Sequence, residues 1–116
     1  MQQNSQPPIR YGVAVDKGSL HGQAVEVEGT GYSVEGAVYS VVLSGSVDER
    51  WARAFNIVQL DSTGFARFRL NAGERKVTFQ VRTVDGAARV ILLLERLDHL
   101  VEEVNRNASY WGSSSG

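Results

Sequence analysis

Cysteine is absent from this chain of 116 residues. Without thiols there are no disulfide bonds, no thiolate nucleophile and no cysteine-ligated zinc or iron–sulfur site. A chain of this length can bury a hydrophobic core without such staples, which become necessary only below about 40 residues. The sequence therefore indicates a single domain held together by its core.

Excess charge and long apolar runs are also missing. The 12 basic and 13 acidic residues leave a net charge of −1, which argues against a protein whose main partner is a polyanion. The longest apolar run, Val90–Leu94, is far shorter than the ~20 residues that a membrane span needs. Met1–Pro8 lacks a charged segment followed by an apolar one, so it does not resemble a secretory signal. We expect a cytoplasmic protein with no membrane partner.

The first half of the chain is rich in residues that favour strands. We predict strands at Ile9–Val15, Leu20–Glu28 and Val34–Val47, because β-branched residues recur there. Asp16–Ser19 and Gly29–Gly31 separate these strands and have the composition of turns.

A helix is predicted next, at Asp48–Leu60. Ser46 and Glu49 have the spacing of a capping box, in which Ser46 caps the helix. The following apolar residues recur at i, i+3, i+4 and i+7, which places them on one helical face; they are Trp51, Ala54, Phe55 and Val58.

Two strands and a second helix complete the pattern. Phe65–Leu70 and Val77–Thr83 flank a glycine-containing hairpin loop at Asn71–Glu74. The last helix is predicted at Asp85–Asn107, where large aliphatic residues form a broad stripe. The stripe comprises Val90, Leu94, Leu97, Val101 and Val104 at spacings of four and three, widened by Ile91, Leu93 and Leu100.

The element order β-β-β-α-β-β-α is typical of an α+β domain with a mainly antiparallel sheet and two helices packed on one face. Residues 9–107 form this single domain in our interpretation. Residues 1–8 are polar and are predicted to be a disordered tail, and residues 108–116 to be a flexible tail.

The sequence over about residues 34–106 resembles the YbjN and type III secretion chaperone-like proteins. The resemblance lies in the segment FNIVQLDSTGFARFRLNAGERKVTFQVRT and the helix AARVILLLERLDHLVEEVNR. Asn56, Phe65, Phe68 and the Asn71–Gly73 hairpin occupy the corresponding places. The resemblance implies a dimeric protein that holds other polypeptides, or a stress-linked relative of such proteins.

The leading functional hypothesis is a non-enzymatic protein-interaction module that acts as a homodimer, with a chaperone- or adaptor-like role. The apolar content of the two helices is large for one thin sheet, which leaves side chains for a second chain or a client polypeptide. The candidate interaction residues are Trp51, Phe55, Leu93 and Leu100. For Trp51 and Phe55 the competing interpretation is burial in the core, where such residues are more often found. No catalytic set and no cofactor motif are visible in the sequence.

An alternative hypothesis is single-stranded nucleic-acid binding. Arg67 and Arg69 alternate on one strand, and we expect Arg82 and Phe65 on the same sheet face. Arginines with an aromatic residue bind single strands through phosphate contacts and base stacking. The competing interpretation is a cross-strand ion ladder, in which Glu26 and Glu28 neutralise the arginines; these two alternatives stay open at this point.

His99 is the other polar feature of interest. Glu95, Glu102 and Glu103 lie three or four residues away on the same helix, where their side chains meet that of His99. Such a group could hold a metal ion, but it is also the ordinary polar face of an amphipathic helix. Because no second helix offers matching ligands, we predict no metal site.

Overall fold

The computed structural model describes residues 10–28, 33–61 and 68–114. It consists of β1 (Ala14–Glu28), β2 (Ser33–Ser44), α1 (Glu49–Asp61), β3 (Arg69–Asn71), β4 (Lys76–Arg82), a 3-10 turn (Thr83–Asp85) and α2 (Gly86–Ser114). The four strands form one antiparallel sheet in the order β1-β2-β4-β3. The predicted α+β class, with an antiparallel sheet and two helices, is confirmed.

Within the described residues, the N-terminal half contains one strand fewer than the sequence pattern predicted. Ala14 and Val15, at the end of the first predicted strand, and the whole of the strand predicted at Leu20–Glu28 belong to one continuous strand, β1. Asp16–Ser19 does not reverse the chain; the register with β2 shifts between Asp16 and His21, as in a β-bulge. The Ser19 hydroxyl repairs the interrupted ladder, because it accepts a hydrogen bond from the Val42 amide at 2.7 Å.

The hydrophobic core lies between one face of the sheet and both helices. Tyr39 pairs with Phe79 and Val41 with Val77 across β2 and β4, so alternate residues of these strands share that face. The core residues are fully or nearly fully buried, and they come from both helices as well as from the strands. On the other sheet face no helix is packed within the described part of the chain.

α1 has the buried face that the periodicity predicted. Trp51 and Phe55 are fully buried, and their rings stack at a centroid distance of 5.7 Å. The cap, however, is Asp48 rather than Ser46, since the Asp48 carboxylate accepts a hydrogen bond from the Trp51 amide at 2.9 Å. An aspartate at this position also favours the positive end of the helix dipole.

α2 is longer than the sequence pattern predicted. It continues past Asn107 to Ser114, so the residues after Asn107 do not begin a flexible tail as expected. Ala108 is fully buried in the core, and the Ser109 hydroxyl accepts a hydrogen bond from the Tyr11 amide. Contacts to the start of the chain extend the helix beyond the point where the large aliphatic stripe ends. The predicted N-terminal tail lies outside the described residues.

The carboxamide of Asn105 joins three elements. Its oxygen accepts hydrogen bonds from the Trp51 indole N–H at 2.8 Å and from the Val13 amide at 3.3 Å. Its nitrogen donates to the Val13 carbonyl at 2.9 Å. The side chain therefore replaces a neighbouring strand for Val13, while it also satisfies the N–H of a fully buried tryptophan.

The strand predicted at Phe65–Leu70 appears as the short β3, and Phe65 lies outside the described residues. The Gln59 carboxamide in α1 ties the start of this strand to the helix. It donates to the Phe68 carbonyl at 2.9 Å and accepts from the Phe68 amide. In the hairpin that follows, the left-handed position is Arg75, with φ of 53°, rather than the glycine of the loop.

Candidate functional site

The four residues predicted to make protein contacts are core residues. Trp51 and Phe55 have no exposed surface, and Leu93 and Leu100 are buried as well. The sheet and the neighbouring helix of the same chain cover them, so they are not available to a second chain as we expected. The stripe on α2 is broad because α2 packs on the sheet and on α1 together.

The exposed hydrophobic side chains gather at one end of the molecule. α1 begins next to the end of β2, and Trp51 in its first turn contacts Asn105 late in α2, so the two helices run antiparallel. The last turns of α1 and the first turns of α2 consequently lie at the same end. Among the described residues, the exposed large hydrophobic side chains come from these turns and from the 3-10 turn that precedes α2; they are Ile57, Leu60, Val84, Ile91 and Leu92. We name these five residues the apolar end.

The start of α2 contributes most of the apolar end. Val84, Ala87, Ala88, Ile91 and Leu92 are all exposed, and their spacings of three, one, three and one place them on the outer side of the helix. Val84 exposes 83% and Ile91 61% of its surface. The first two turns of α2 are therefore apolar on the outer side as well as on the side that faces the core, which is typical of a helix that is covered on both sides.

The arginines of the alternative hypothesis lie on the sheet face that the helices leave uncovered. Arg69 pairs with Thr78 on β4, and Arg82 shares that face because it lies four residues further along the same strand. Arg82 forms an ion pair with Asp85 at 3.2 Å, and the hydrogen bond from Arg82 lowers the pKa of Asp85. Arg67 and Phe65 lie outside the described residues.

The ion ladder proposed for these arginines does not form through Glu26. Glu26 pairs with Glu35, and Glu35 shares the face of Tyr39, which is the helix side of the sheet. Glu26 and the two described arginines therefore lie on opposite faces. The side chain of Glu28, the other predicted partner, lies outside the described part of the chain.

The uncovered face carries few groups suited to base stacking. The aromatic residues of β2 and β4, Tyr39 and Phe79, stack on each other at 5.7 Å on the helix side. Among the described strand residues, the uncovered face thus carries Arg69 and Arg82 without an aromatic neighbour. The chemistry there is suited to contacts with anions and less to stacking on bases.

The two histidines are both exposed. His99 lies on the outer side of α2, and His21 lies at the point where regular pairing of β1 resumes. Within residues 10–28, 33–61 and 68–114, no three histidine, aspartate or glutamate side chains lie close enough together to hold a metal ion.

A shallow groove of about 560 Å³ lies between the start of β1 and α2. Lys17, in the irregular part of β1, lines it and forms an ion pair with Asp98 at 2.6 Å. The hydrogen bond to Asp98 raises the pKa of Lys17. Asp98, Asp16 and Glu102 also line the groove, so an ion pair between strand and helix forms part of its wall.

Tyr11, just before β1, makes a contact with the residue that caps α1. Its hydroxyl donates a hydrogen bond to the Asp48 carboxylate at 2.8 Å. Burial raises the pKa of Tyr11, and the neighbouring Asp48 carboxylate raises it further. The contact joins the segment before β1 to the residue that caps α1.

Comparisons with protein families, with curated proteins and with solved structures found no match for this chain. In the part of the chain that the structure describes, no helix combines the length and the apolar character that a membrane span requires.

Proposed function

We propose that this protein is a non-enzymatic protein-interaction module that acts as a homodimer in the cytoplasm and holds a client polypeptide in a chaperone- or adaptor-like manner. The observation that carries the proposal is the apolar end. Its five large hydrophobic side chains are exposed, whereas the other described large hydrophobic side chains of α1 and α2 are buried or half-buried.

The physical reason is the cost of leaving such a surface in water. Each apolar side chain that moves from water into a contact contributes about 1.5–3 kcal/mol. Contiguous exposed apolar patches on soluble proteins are therefore usually places where a partner binds. Leu60 and Val84 each expose 83% of their surface, so most of this free energy remains available to a client.

The shape of the apolar end favours an apolar segment of a client over a charged one. Ala87 and Ala88 are small and exposed on the outer side of α2, so a client backbone can approach the helix closely there. Glu95 follows one turn later and is also exposed, which gives the patch a polar border. The resemblance to the YbjN and type III secretion chaperone-like proteins supports the same type of role.

The proposal is tested by the suppression of client aggregation. A chemically denatured enzyme is diluted into buffer with the wild-type chain or with the double variant Leu60→Glu, Ile91→Glu, and light scattering is recorded. We expect the wild-type chain to suppress scattering and the variant to lose this effect. Both substitutions lie at exposed positions, so the free energy of unfolding should change by only about 0.5 kcal/mol per site.

A matched control uses another exposed position on α2. Arg106→Glu also introduces an acid on this helix, but at the end opposite the apolar end, and it should suppress scattering as well as the wild-type chain does. Equal loss in both variants would assign the effect to net charge. If the wild-type chain suppresses no scattering, the client-holding role is wrong.

A further inference from the structure

The outer edge of β1 and of the residues just before it differs along its length. Before β1, side chains of α2 bind the backbone: the Ser109 hydroxyl accepts from the Tyr11 amide, and Asn105 binds both the amide and the carbonyl of Val13. These hydrogen bonds satisfy backbone groups that would otherwise offer a template for another strand. Lys17 then joins the irregular part of β1 to α2 through its ion pair with Asp98.

The direction of the remaining edge groups follows from two hydrogen bonds of β2. The Val42 amide donates towards β1, to Ser19, and the Leu43 amide donates towards β4, to the Arg75 carbonyl at 2.7 Å. Amide directions alternate along a strand, so Ser40 and Val38 also point towards β1. Their partners on β1, His21 and Gln23, direct their amide and carbonyl groups back towards β2. The residues that alternate with these partners direct theirs away from the sheet; these outward residues are Gly22, Ala24 and Glu26.

These three outward residues have none of the caps seen at the start of the chain. Within the described residues, no side chain or backbone group outside the strand binds an amide or carbonyl of Gly22, Ala24 or Glu26. All three residues are exposed. The upper part of β1 is therefore an unpaired strand edge of seven residues, 21–27, in a protein that covers the lower part of the same edge.

We propose that this upper edge is the homodimer interface, in which residues 21–27 of β1 pair antiparallel with the same residues of a second copy. The inference rests on the proposed function, because it specifies how the proposed homodimer forms. The two sheets would join into one, and the apolar end of each copy would stay free for a client.

The register follows from direction, overlap and charge. Outward residues pair only with outward residues, so a two-fold axis has to pass beside one residue of the strand. An axis beside Ala24 overlaps the whole segment, pairs Ala24 with its own copy, and pairs Gly22 with Glu26 of the second copy. An axis beside Glu26 would place two like charges directly opposite each other, which is destabilising.

The residues of this edge suit a second copy of the same strand. On the helix side, each copy brings only Gly22, Ala24 and Glu26 to the junction, so the central pair is two alanines and each Glu26 lies opposite a glycine. On the other face, Val25 lies opposite Gln23 and Val27 opposite His21. Three outward pairs, each exchanging two hydrogen bonds, would make about six bonds between the copies.

A cysteine cross-link tests the register directly, since the chain has no cysteine of its own. Residues opposed in a hydrogen-bonded antiparallel pair have Cα atoms about 5.5 Å apart, which is a distance that a disulfide spans. Ala24→Cys should therefore give a covalent dimer on mild oxidation. Glu26→Cys is the control: its thiol would lie about 13 Å along the strand from its copy, so it should stay monomeric on a denaturing gel.

Proline variants separate the interface from the fold. Ala24→Pro removes an outward N–H and leaves the ladder to β2 intact, so sedimentation should show a monomer with an almost unchanged melting temperature. Val25→Pro removes an N–H of that ladder and should lower the melting temperature. If Ala24→Pro does not fold, the cysteine pair decides the question alone.

The outcomes distinguish this inference from the proposed function. A wild-type dimer that Ala24→Pro leaves dimeric, and in which Ala24→Cys does not cross-link, would overturn the edge interface but leave the homodimer standing. A wild-type chain that sediments only as a monomer at micromolar concentrations would overturn both the edge interface and the proposed homodimer. A mixed dimer formed only with an added extended peptide would show that the edge serves another partner, and would likewise overturn the inference.

Discussion

Replacement of Asn105 by alanine should destabilise this protein more than the half-buried position of this side chain on α2 suggests. The substitution removes three hydrogen bonds, to the amide and carbonyl of Val13 and to the indole N–H of Trp51. A hydrogen bond contributes about 0.5–1.5 kcal/mol net, and a buried group left without a partner costs about 1–3 kcal/mol. Trp51 has no exposed surface, so in the variant its indole N–H would be a buried group without a partner.

The Val13 groups are only partly buried, so water replaces part of what Asn105 supplies to them. We therefore expect Asn105→Ala to lower the free energy of unfolding by about 2–4 kcal/mol, most of it through Trp51. At roughly 4 °C for each kcal/mol in a domain of this size, the melting temperature should fall by about 8–16 °C. Urea unfolding followed by circular dichroism measures the free-energy difference.

Asn107→Ala is the matched control on the same helix. The Asn107 side chain bonds only the Glu103 carbonyl of its own helix, at an exposed site, so its loss should change the stability by about 0.5 kcal/mol or less. A double-mutant cycle with Trp51→Phe isolates the indole contact. The reasoning fails if Asn105→Ala costs no more than Asn107→Ala, or if the cycle shows no coupling between Asn105 and Trp51.

Two further predictions follow from the sheet. In Gly36→Ala the new Cβ would lie 2.5 Å from the Val81 carbonyl oxygen. The two strands would have to move apart, which should lower the free energy of unfolding by about 1–3 kcal/mol in urea unfolding. A Cβ at Gly12 would have no atom within 4 Å, so Gly12→Ala should lower it far less, and equal losses would contradict the packing argument. In Lys17→Met the small loss of stability should be constant between neutral pH and the ordinary lysine pKa of 10.5. Because Asp98 raises the pKa of Lys17 in the folded state, this difference should vanish as pH rises through the raised value; a difference that grows with pH would refute it.

The helices were the most predictable part of the fold. The spacing of Trp51, Ala54, Phe55 and Val58 on α1 matches the buried face of the structure, because a helical face is determined by residues within two turns of one another. The strands of the second hairpin were located within a few residues for a similar reason. Each of these features depends on local contacts.

Asp16–Ser19 shows why the turn in the N-terminal half was misread. Aspartate, glycine and serine favour irregular backbone, but the same composition serves a chain reversal and a bulge equally well. The choice depends on β2, more than 20 residues away in sequence, whose Val42 amide finds the Ser19 hydroxyl. A local pattern contains no information about that partner.

The residues assigned to an interaction surface from the sequence are buried in the folded chain. Apolar excess on the helices suggested a protein interaction surface, and Leu93 and Leu100 were assigned to it because they lie outside the main stripe of α2. Both residues belong to the hydrophobic core. Ile91, which the periodicity included in the core stripe, is exposed instead.

The sequence by itself determined the class of the domain, the core faces of the helices and the excess of apolar side chains, because each follows from composition and short-range periodicity. Only the tertiary structure decided which apolar residues stay exposed and which part of the β1 edge is capped. Val13 and Asn105 are 92 positions apart, and no repeat links them. Contacts of this kind depend on how the elements dock, so the apolar end and the open edge of β1 became visible only in the folded chain.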